Sequence, residues 1–284
     1  MAIVVTGATG NVGRPLVMLL HEAGVRVRAV TRNPDAAGFP AGVEAVPSAT
    51  AALPGASAVF LNSRALGAEL ADVVELARRA GVRRLVALSA INADDDFSRQ
   101  PSRFRGDRNK EVEQLAVDSG LEWVSLRPGF FATNLSGMWA AQIQSGDVVY
   151  GPYQTASIAP IVERDIAEVA AHGLLTDDLV GQRIPLTGPE ALTNAQLVEV
   201  IGAVLNRALR YQEVPAEVVR ERFIGIGFSA DFADAYLAFL SSNNDTTALV
   251  TRDVEKILGR PAQTFAHWVS EHRDLFTARA ATNV

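Results

Sequence analysis

A doubly wound α/β fold built on a parallel sheet is the class predicted by these 284 residues, and three observations predict it. The first half alternates short apolar runs with stretches of helical periodicity. Its first strand and helix are joined by Thr6-Gly7-Ala8-Thr9-Gly10-Asn11-Val12-Gly13, a glycine-rich turn. Single glycines at 24, 81 and 120 end helical stretches just before new strands begin, as a left-handed C-cap requires. Alternating elements with such short joints favour right-handed crossovers in one sheet.

In chain order, Ala2-Ile3-Val4-Val5 is a buried strand and Arg14–Leu20 opens the first helix. Val25–Thr31 is the second strand, Val43–Val46 the third and Ser57–Leu61 the fourth, after the turn Pro54-Gly55. Ala68–Ala80 is helical, Arg84–Ser89 is the fifth strand, Asn109–Ser119 a helix and Glu122–Leu126 the sixth strand. Asn92–Arg108, with Asp94-Asp95-Asp96, reads as a solvated, mobile loop; adjacent carboxylates repel and hold a cation only with help from other ligands. Ile143–Pro160 suits a hairpin or an irregular loop. Glu163–Leu175 is a helix, Arg183–Thr187 a strand, and Thr193 an N-cap for a helix to Leu205. Leu209–Val214 is a strand, 216–241 is helical with apolar positions at Phe223, Phe228, Phe232, Tyr236 and Phe239, and Phe265–Glu271 is a short helix. The division expected is 1–155 as a dinucleotide-binding (Rossmann-type) domain, with 156–284 completing the sheet and forming a smaller lobe on the substrate side.

Composition narrows the function. Hydrophobic residues make up 48% and charged residues 20%, which is ordinary for a globular chain rather than a disordered one. The net charge of −6, with signs interspersed, gives no basic face for nucleic acid. The absence of cysteine removes disulfides, thiolate nucleophiles and cysteine metal sites. No apolar run approaches the roughly 18 residues that span a bilayer, so a cytoplasmic protein with no membrane partner is expected. Of the four histidines, His267 and His272 lack the His-Glu-x-x-His spacing, while His21 and His172 stand alone at helix ends. Surface or capping roles suit them better than ligation, and no metal site is expected.

The glycine turn carries the chemistry. Gly7 permits the tight turn, Gly10 admits a phosphate close to the backbone, and Gly13 brings the helix against the strand. The turn, with Thr9, Asn11 and Val12, then presents free N–H groups and a helix dipole to a pyrophosphate. After the second strand, where an NAD site places an acid on the ribose, the chain has Thr31-Arg32-Asn33-Pro34. Arg32 can pair with a 2′-phosphate, assisted by Arg14, and favours NADPH over NADH; a solvated surface arginine is the alternative. Asn62, Ser63 and Arg64 follow the fourth strand near the expected ribose, with a plain loop as the alternative. Ser89 ends the fifth strand, where it either touches the cofactor or caps the strand.

The turn, the Thr31–Pro34 corner and the string Ser119-Gly120-Leu121-Glu122-Trp123-Val124-Ser125-Leu126-Arg127-Pro128-Gly129-Phe130-Phe131 resemble the NmrA-like group of atypical short-chain dehydrogenase/reductases. Leu186–Thr193, Thr251–Leu258 with Gly259-Arg260-Pro261, and Thr264-Phe265 extend the resemblance over nearly the whole chain. It implies NAD(P) binding and reduction of quinones, azo dyes, enones or iminium compounds, or else a redox-sensing regulator that keeps the nucleotide site and acts through a protein partner. It also implies that Pro128 and Phe130 lie at the nicotinamide, with Phe131 beside them. Ser48 departs from the Asp that the group often carries beside the adenine.

The usual Tyr-x-x-x-Lys is missing. Counting seven back from Gly120 gives Glu113, which the group often has; four further back is Asn109, and the tyrosine position is Arg105. A one-residue shift puts Lys110 at the lysine and Gly106 at the tyrosine. No tyrosine precedes Tyr150, so no phenol is available in either frame. Asn109 and Lys110 remain as weak catalytic candidates for holding the nicotinamide ribose, against a plain helix-surface role. An acceptor that needs little acid assistance, such as a quinone or an iminium, fits this better than an unactivated ketone. The expected partner is a small-molecule substrate, and a homodimer is one of the oligomeric states left open.

Overall fold

The computed structural model describes residues 2–277; Met1 and 278–284, the end of the second expected segment, lie outside the described residues. The chain runs β1 (Ala2–Val5), α1 (Gly13–Glu22), β2 (Arg26–Val30), β3 (Val43–Val46), α2 (Ala49–Ala52), β4 (Ala56–Asn62), α3 (Ser63–Leu66), α4 (Leu70–Arg79), β5 (Arg84–Leu88), α5 (Asn109–Asp118) and β6 (Glu122–Pro128). It continues through α6 (Ala132–Ser145), β7 (Val148–Gly151), β8 (Ser157–Ile158), α7 (Glu163–Leu175), β9 (Gln182–Leu186), β10 (Leu192–Thr193), α8 (Asn194–Leu205) and β11 (Arg210–Glu213). The remainder is α9 (Ala216–Gly225), α10 (Ala230–Ser242), α11 (Asp253–Leu258) and α12 (Phe265–Glu271).

Seven strands form one parallel sheet in the order β3-β2-β1-β4-β5-β6-β9. The strand order reverses between β1 and β4, which opens a crevice at their carboxyl ends, where doubly wound sheets bind ligands. Alternate side chains of the central strands feed opposite faces. Val5, Phe60 and Val86 pack with α1, α7 and α11 on one side. Val4, Val59, Leu61 and Leu85 pack with α2, α4 and α5 on the other. Both faces of the centre are covered, so β1, β4 and β5 are apolar runs, whereas β2 toward the edge alternates buried and more exposed residues.

The lobe is built from elements far apart in sequence. Leu135, Trp139 and Ile143 of α6 pack with Leu197 and Ile201 of α8 and with Phe265 and Trp268 of α12. Ile143–Pro160 is not a hairpin. β7 pairs in parallel with β11, and β8 pairs antiparallel with β10. Residues 216–241 break into two helices at Gly227, whose φ is 99°, and Ser229 caps the second by accepting from Phe232 N at 3.1 Å. Thr193 does form the anticipated cap, within a capping box with Gln196.

The stretch 92–108 is largely solvent-exposed, as expected, but it is ordered by two 3-10 turns, Phe97–Arg99 and Pro101–Arg105, that pack on α10. Gln100 is buried and donates to the Asp95 and Ala93 carbonyls at 2.7 and 3.3 Å. The Arg103 guanidinium sits 3.7 Å from the Phe97 ring centroid. Asp96 caps its turn by accepting from Ser98 N at 2.9 Å, and Asp94 pairs with Arg127 at 2.8 Å. The carboxylates are thus separated by their partners. Among the described residues no helix is long and apolar enough to cross a membrane, and no group of three or more His, Cys, Asp or Glu could hold a metal ion.

Candidate active site

The glycine turn lies in the crevice beside the strand-order reversal. Thr6 fixes it to β4: its Oγ1 donates to the Phe60 carbonyl at 2.8 Å and accepts from Asn62 N at 2.8 Å. Gly7 has a φ of 65°, and its carbonyl accepts from Gly10 N at 2.9 Å. A Cβ on Gly13 would lie 2.1 Å from that same carbonyl oxygen, so only glycine lets α1 start this close to the turn. Thr9, Gly10 and Asn11 are exposed. Val12 occupies the N-cap position of α1 with no side-chain cap. The amides of Asn11, Val12 and Gly13 donate to no acceptor among the described residues. An uncapped helix start with bare amides and no Cβ at Gly10 fits the pyrophosphate of a dinucleotide.

Arg32 follows β2, is exposed, and makes no ion pair among the described residues. Arg14, expected to assist it, is engaged elsewhere. Its Nη2 donates to the Ala37 carbonyl at 2.7 Å and its guanidinium lies 4.9 Å from the Phe39 ring centroid. It therefore braces the segment that follows Arg32. Ser48 caps α2 by accepting from Ala51 N at 3.3 Å.

At the end of β4, Asn62 caps α3 through Oδ1, which accepts from Ala65 N at 3.2 Å. Its Nδ2 would stand 3.0 Å from a Cβ on Gly7, so this side chain borders the turn. Ser63 is buried, and its Oγ accepts from Arg108 N at 2.9 Å. At the end of β5, buried Ser89 donates to the Asn109 carbonyl at 2.8 Å. Asn109, also buried, donates through Nδ2 to Ser102 Oγ at 3.1 Å. Ser63 and Ser89 therefore spend their hydroxyls on joining the loops after β4 and β5 to the start of α5. Lys110 is exposed, with Nζ 3.8 Å from Asp94.

β6 ends at buried Pro128, whose carbonyl accepts from Ile91 N at 3.0 Å. Phe130 is half-buried and stacks on Phe239 of α10, with centroids 6.1 Å apart and planes 12° apart. Phe131 turns instead toward the sheet core and precedes α6. Beyond Phe239, Phe223, Phe228, Phe232 and Tyr236 stack among themselves, Phe228 on Phe232 at 4.5 Å. An aromatic wall thus runs from the end of β6 into the lobe.

The structure also shows what Glu113 does. It is buried on α5 and accepts from Arg127 Nε and Nη2 at 2.8 and 2.6 Å, from Arg183 Nε at 2.6 Å, and from Ser125 Oγ. Burial pushes its carboxyl upward, but donation from Arg127, Ser125 and Arg183 outweighs this and holds it down at about 2. Glu113 is a hub that fastens α5 to β6 and β9 beneath the crevice. Counting from Gly120 reaches it; its Arg183 partner, 70 residues away, has no local signal.

The NmrA-like family model matches residues 1–263. An NAD(P)H azoreductase from Xenophilus azovorans is 32% identical over 97% of this chain and 99% of its own length. A (4-alkanoyl-5-oxo-2,5-dihydrofuran-3-yl)methyl phosphate reductase from Streptomyces griseus subsp. griseus is 34% identical over 96% of this chain and 99% of its own. The crystal structure of an NADPH-dependent quinone oxidoreductase from Escherichia coli, complexed with NADPH, superposes with a TM-score of 0.80 at 23% identity, covering 95% of this chain and 99% of that one. With a glycine turn, strand order and full-length relatives that all agree, the chain belongs to the NmrA-like family.

Proposed function

We propose that the protein is an NAD(P)H-dependent reductase that passes hydride to a small conjugated acceptor, with NADPH as the preferred nucleotide. The observation that carries this reading is the row of bare amides at Asn11–Gly13 after β1, at the same carboxyl-end edge of the parallel sheet as Phe130 after β6, where the aromatic wall starts. Reduced nicotinamide supplies the hydride when bound. Gly7, Thr9, Gly10, Asn11, Val12 and Gly13 would hold the pyrophosphate, Arg32 the 2′-phosphate, and Asn62 the ribose side of the turn. Ser63, Ser89 and Asn109 act by shaping the loops around it, and Pro128 with Phe130 would close the nicotinamide face.

The tyrosines support an acceptor that needs little acid. Tyr150 is exposed on β7 and Tyr153 is half-buried in the following loop, while half-buried Tyr211 and buried Tyr236 in the lobe donate to the Pro152 carbonyl at 2.8 Å and to Met138 Sδ at 3.5 Å. Burial raises the pKa of both phenols. A quinone taking up hydride becomes a stabilised phenolate that draws its proton from water, and an iminium becomes a neutral amine. The azoreductase and the furanone phosphate reductase, by their names, also act on conjugated acceptors.

NADPH oxidation followed by absorbance with a panel of quinones, azo dyes, enones and imines tests this. Turnover of at least one class is expected. Tight nucleotide binding without turnover of any acceptor would leave a nucleotide-sensing regulator instead. Arg32→Ala is expected to weaken NADPH by about tenfold to a hundredfold, the worth of a charge-assisted contact to phosphate, and to leave NADH nearly unchanged. Equal losses for the two nucleotides would remove the NADPH preference.

A further inference from the structure

Arg105 ends the 3-10 turn Pro101–Arg105, where the loops after β4 and β5 meet the start of α10. Gly106, next in sequence, leaves room toward Arg64: a Cβ there would come within 3.7 Å of Arg64 Cγ. The carboxylates on this stretch are committed to other cations. Asp107 takes Arg64 at 2.5 Å, and Glu111 takes Arg103 at 2.7 Å. Arg105 has no ion pair or hydrogen bond among the described residues, and its guanidinium is 5.6 Å from the Phe228 ring centroid. Phe228 in turn stacks on Phe232, in the aromatic wall.

An arginine free in water would keep its ordinary affinity for protons. Arg105 is solvent-exposed, yet partial desolvation of its guanidinium, reinforced by the positive charge of Arg64 and only partly offset by Asp107, lowers its pKa. An anion arriving from solvent can therefore reach a cation that sits on an aromatic face beside a like charge and has no ion-pair partner among the described residues.

We propose that Arg105 is a specificity-determining residue that binds an oxyanion substituent, such as a sulfonate, phosphate or carboxylate, on an aromatic or conjugated acceptor lying along the Phe228 end of the wall. This rests on the reductase reading, since the wall is taken there as the acceptor face. The crevice then selects anionic acceptors over neutral ones of the same shape.

Calorimetric titration of the NADP+-loaded protein with naphthoquinone sulfonate and with unsubstituted naphthoquinone tests the assignment without requiring turnover. Arg105→Gln is expected to weaken the sulfonate about tenfold or more and to leave the neutral quinone within about twofold. Arg105→Lys should recover part of the sulfonate affinity, and Arg26→Gln, at the far edge of the sheet, should change neither ligand. Equal effects on both quinones, or none on the sulfonate, would overturn the proposal. So would a comparable loss of NADPH affinity in Arg105→Gln, which would put the guanidinium on a cofactor phosphate. Sulfonate-selective binding that depends on Arg105 in a protein that reduces nothing would overturn the reductase reading alone. Turnover of neutral quinones with no Arg105-dependent sulfonate binding would overturn this one alone.

Discussion

Gly13→Ala is expected to cost the protein its nucleotide binding and part of its stability. The new Cβ would meet the Gly7 carbonyl oxygen at 2.1 Å, the Gly7 carbonyl carbon at 2.8 Å and Ala8 Cα at 2.9 Å, all of them backbone. No side chain can swing away to relieve this, so the turn or the start of α1 must shift. A displacement of about 1 Å in a positioned site typically costs on the order of a hundredfold, and overpacking a tight contact costs about 1–3 kcal/mol. Fluorescence titration with NADPH and a thermal melt read the two effects. Gly10→Ala separates them. Its Cβ would come only to 3.2 Å of the same oxygen, at an exposed position. That variant should melt near the wild type and still bind NADPH weakly, because the methyl group occupies the space a phosphate needs. Wild-type affinity in both variants would show that the turn is not the pyrophosphate site.

Glu113→Ala is expected to produce the largest loss of stability of any substitution that leaves the crevice lining intact. It removes the carboxylate that Arg127 uses alongside Asp94 and that the 44%-exposed Arg183 also uses, and losing the buried member of such a cluster costs about 3 kcal/mol. For a chain of this size that corresponds to a melting temperature lower by roughly 10 °C. The effect should depend on acidity with a definite sign. Glu113 is 7% exposed, and its folded pKa of about 2 lies below the ordinary value of 4.5. The stabilisation it brings is complete above about pH 4.5 and is lost as the pH falls toward 2, amounting to about 3 kcal/mol over that window. Urea unfolding of the wild type and of Glu113→Ala should therefore give stabilities that converge on acidification. A constant gap between them would mean that the carboxylate's charge is not what holds α5 to β6 and β9.

All seven sheet strands were legible in the sequence, the central ones because parallel strands buried on both faces read as apolar runs and the outer ones by shorter apolar stretches between turns. Gly24, Gly81 and Gly120 marked the helix ends because each takes a positive φ, of 73°, 76° and 73°. The lobe was less legible for the opposite reason. β7 finds its partner in β11, and α6 packs against α8 and α12, so the information that fixes them is spread across the chain. The polarity of 92–108 correctly marked a solvated segment, but not the local bonds of Gln100, Asp96 and Arg103 that order it. The crevice itself was half readable. Gly7, Gly10 and Gly13 form the strand-to-helix turn the spacing predicted, and Arg32 follows β2. Ser63 and Ser89 sit at the right edge of the sheet, but nothing in a serine's spacing discloses that its hydroxyl is turned inward to join two loops. The contacts of Arg14 were not readable either, since the carbonyl of Ala37 and the ring of Phe39 that hold it come from a loop without periodicity.

Phe130 belongs to two structures at once. Its carbonyl accepts from Ile161 N at 2.9 Å, and Ala132 N returns a bond to the Ile161 carbonyl at 2.9 Å, so its backbone is fixed by the frame of the sheet. Its ring, however, lies on Phe239 of the lobe. Under the proposed reading, one side of the acceptor space is held by the scaffold and the other by α9 and α10 of the lobe. New acceptor preferences can arise by exchanging residues along those two helices without retuning the nucleotide end. The molecule is divided in this way into a sheet-bound frame and a lobe built on it, with a single phenyl ring as the coupling between them.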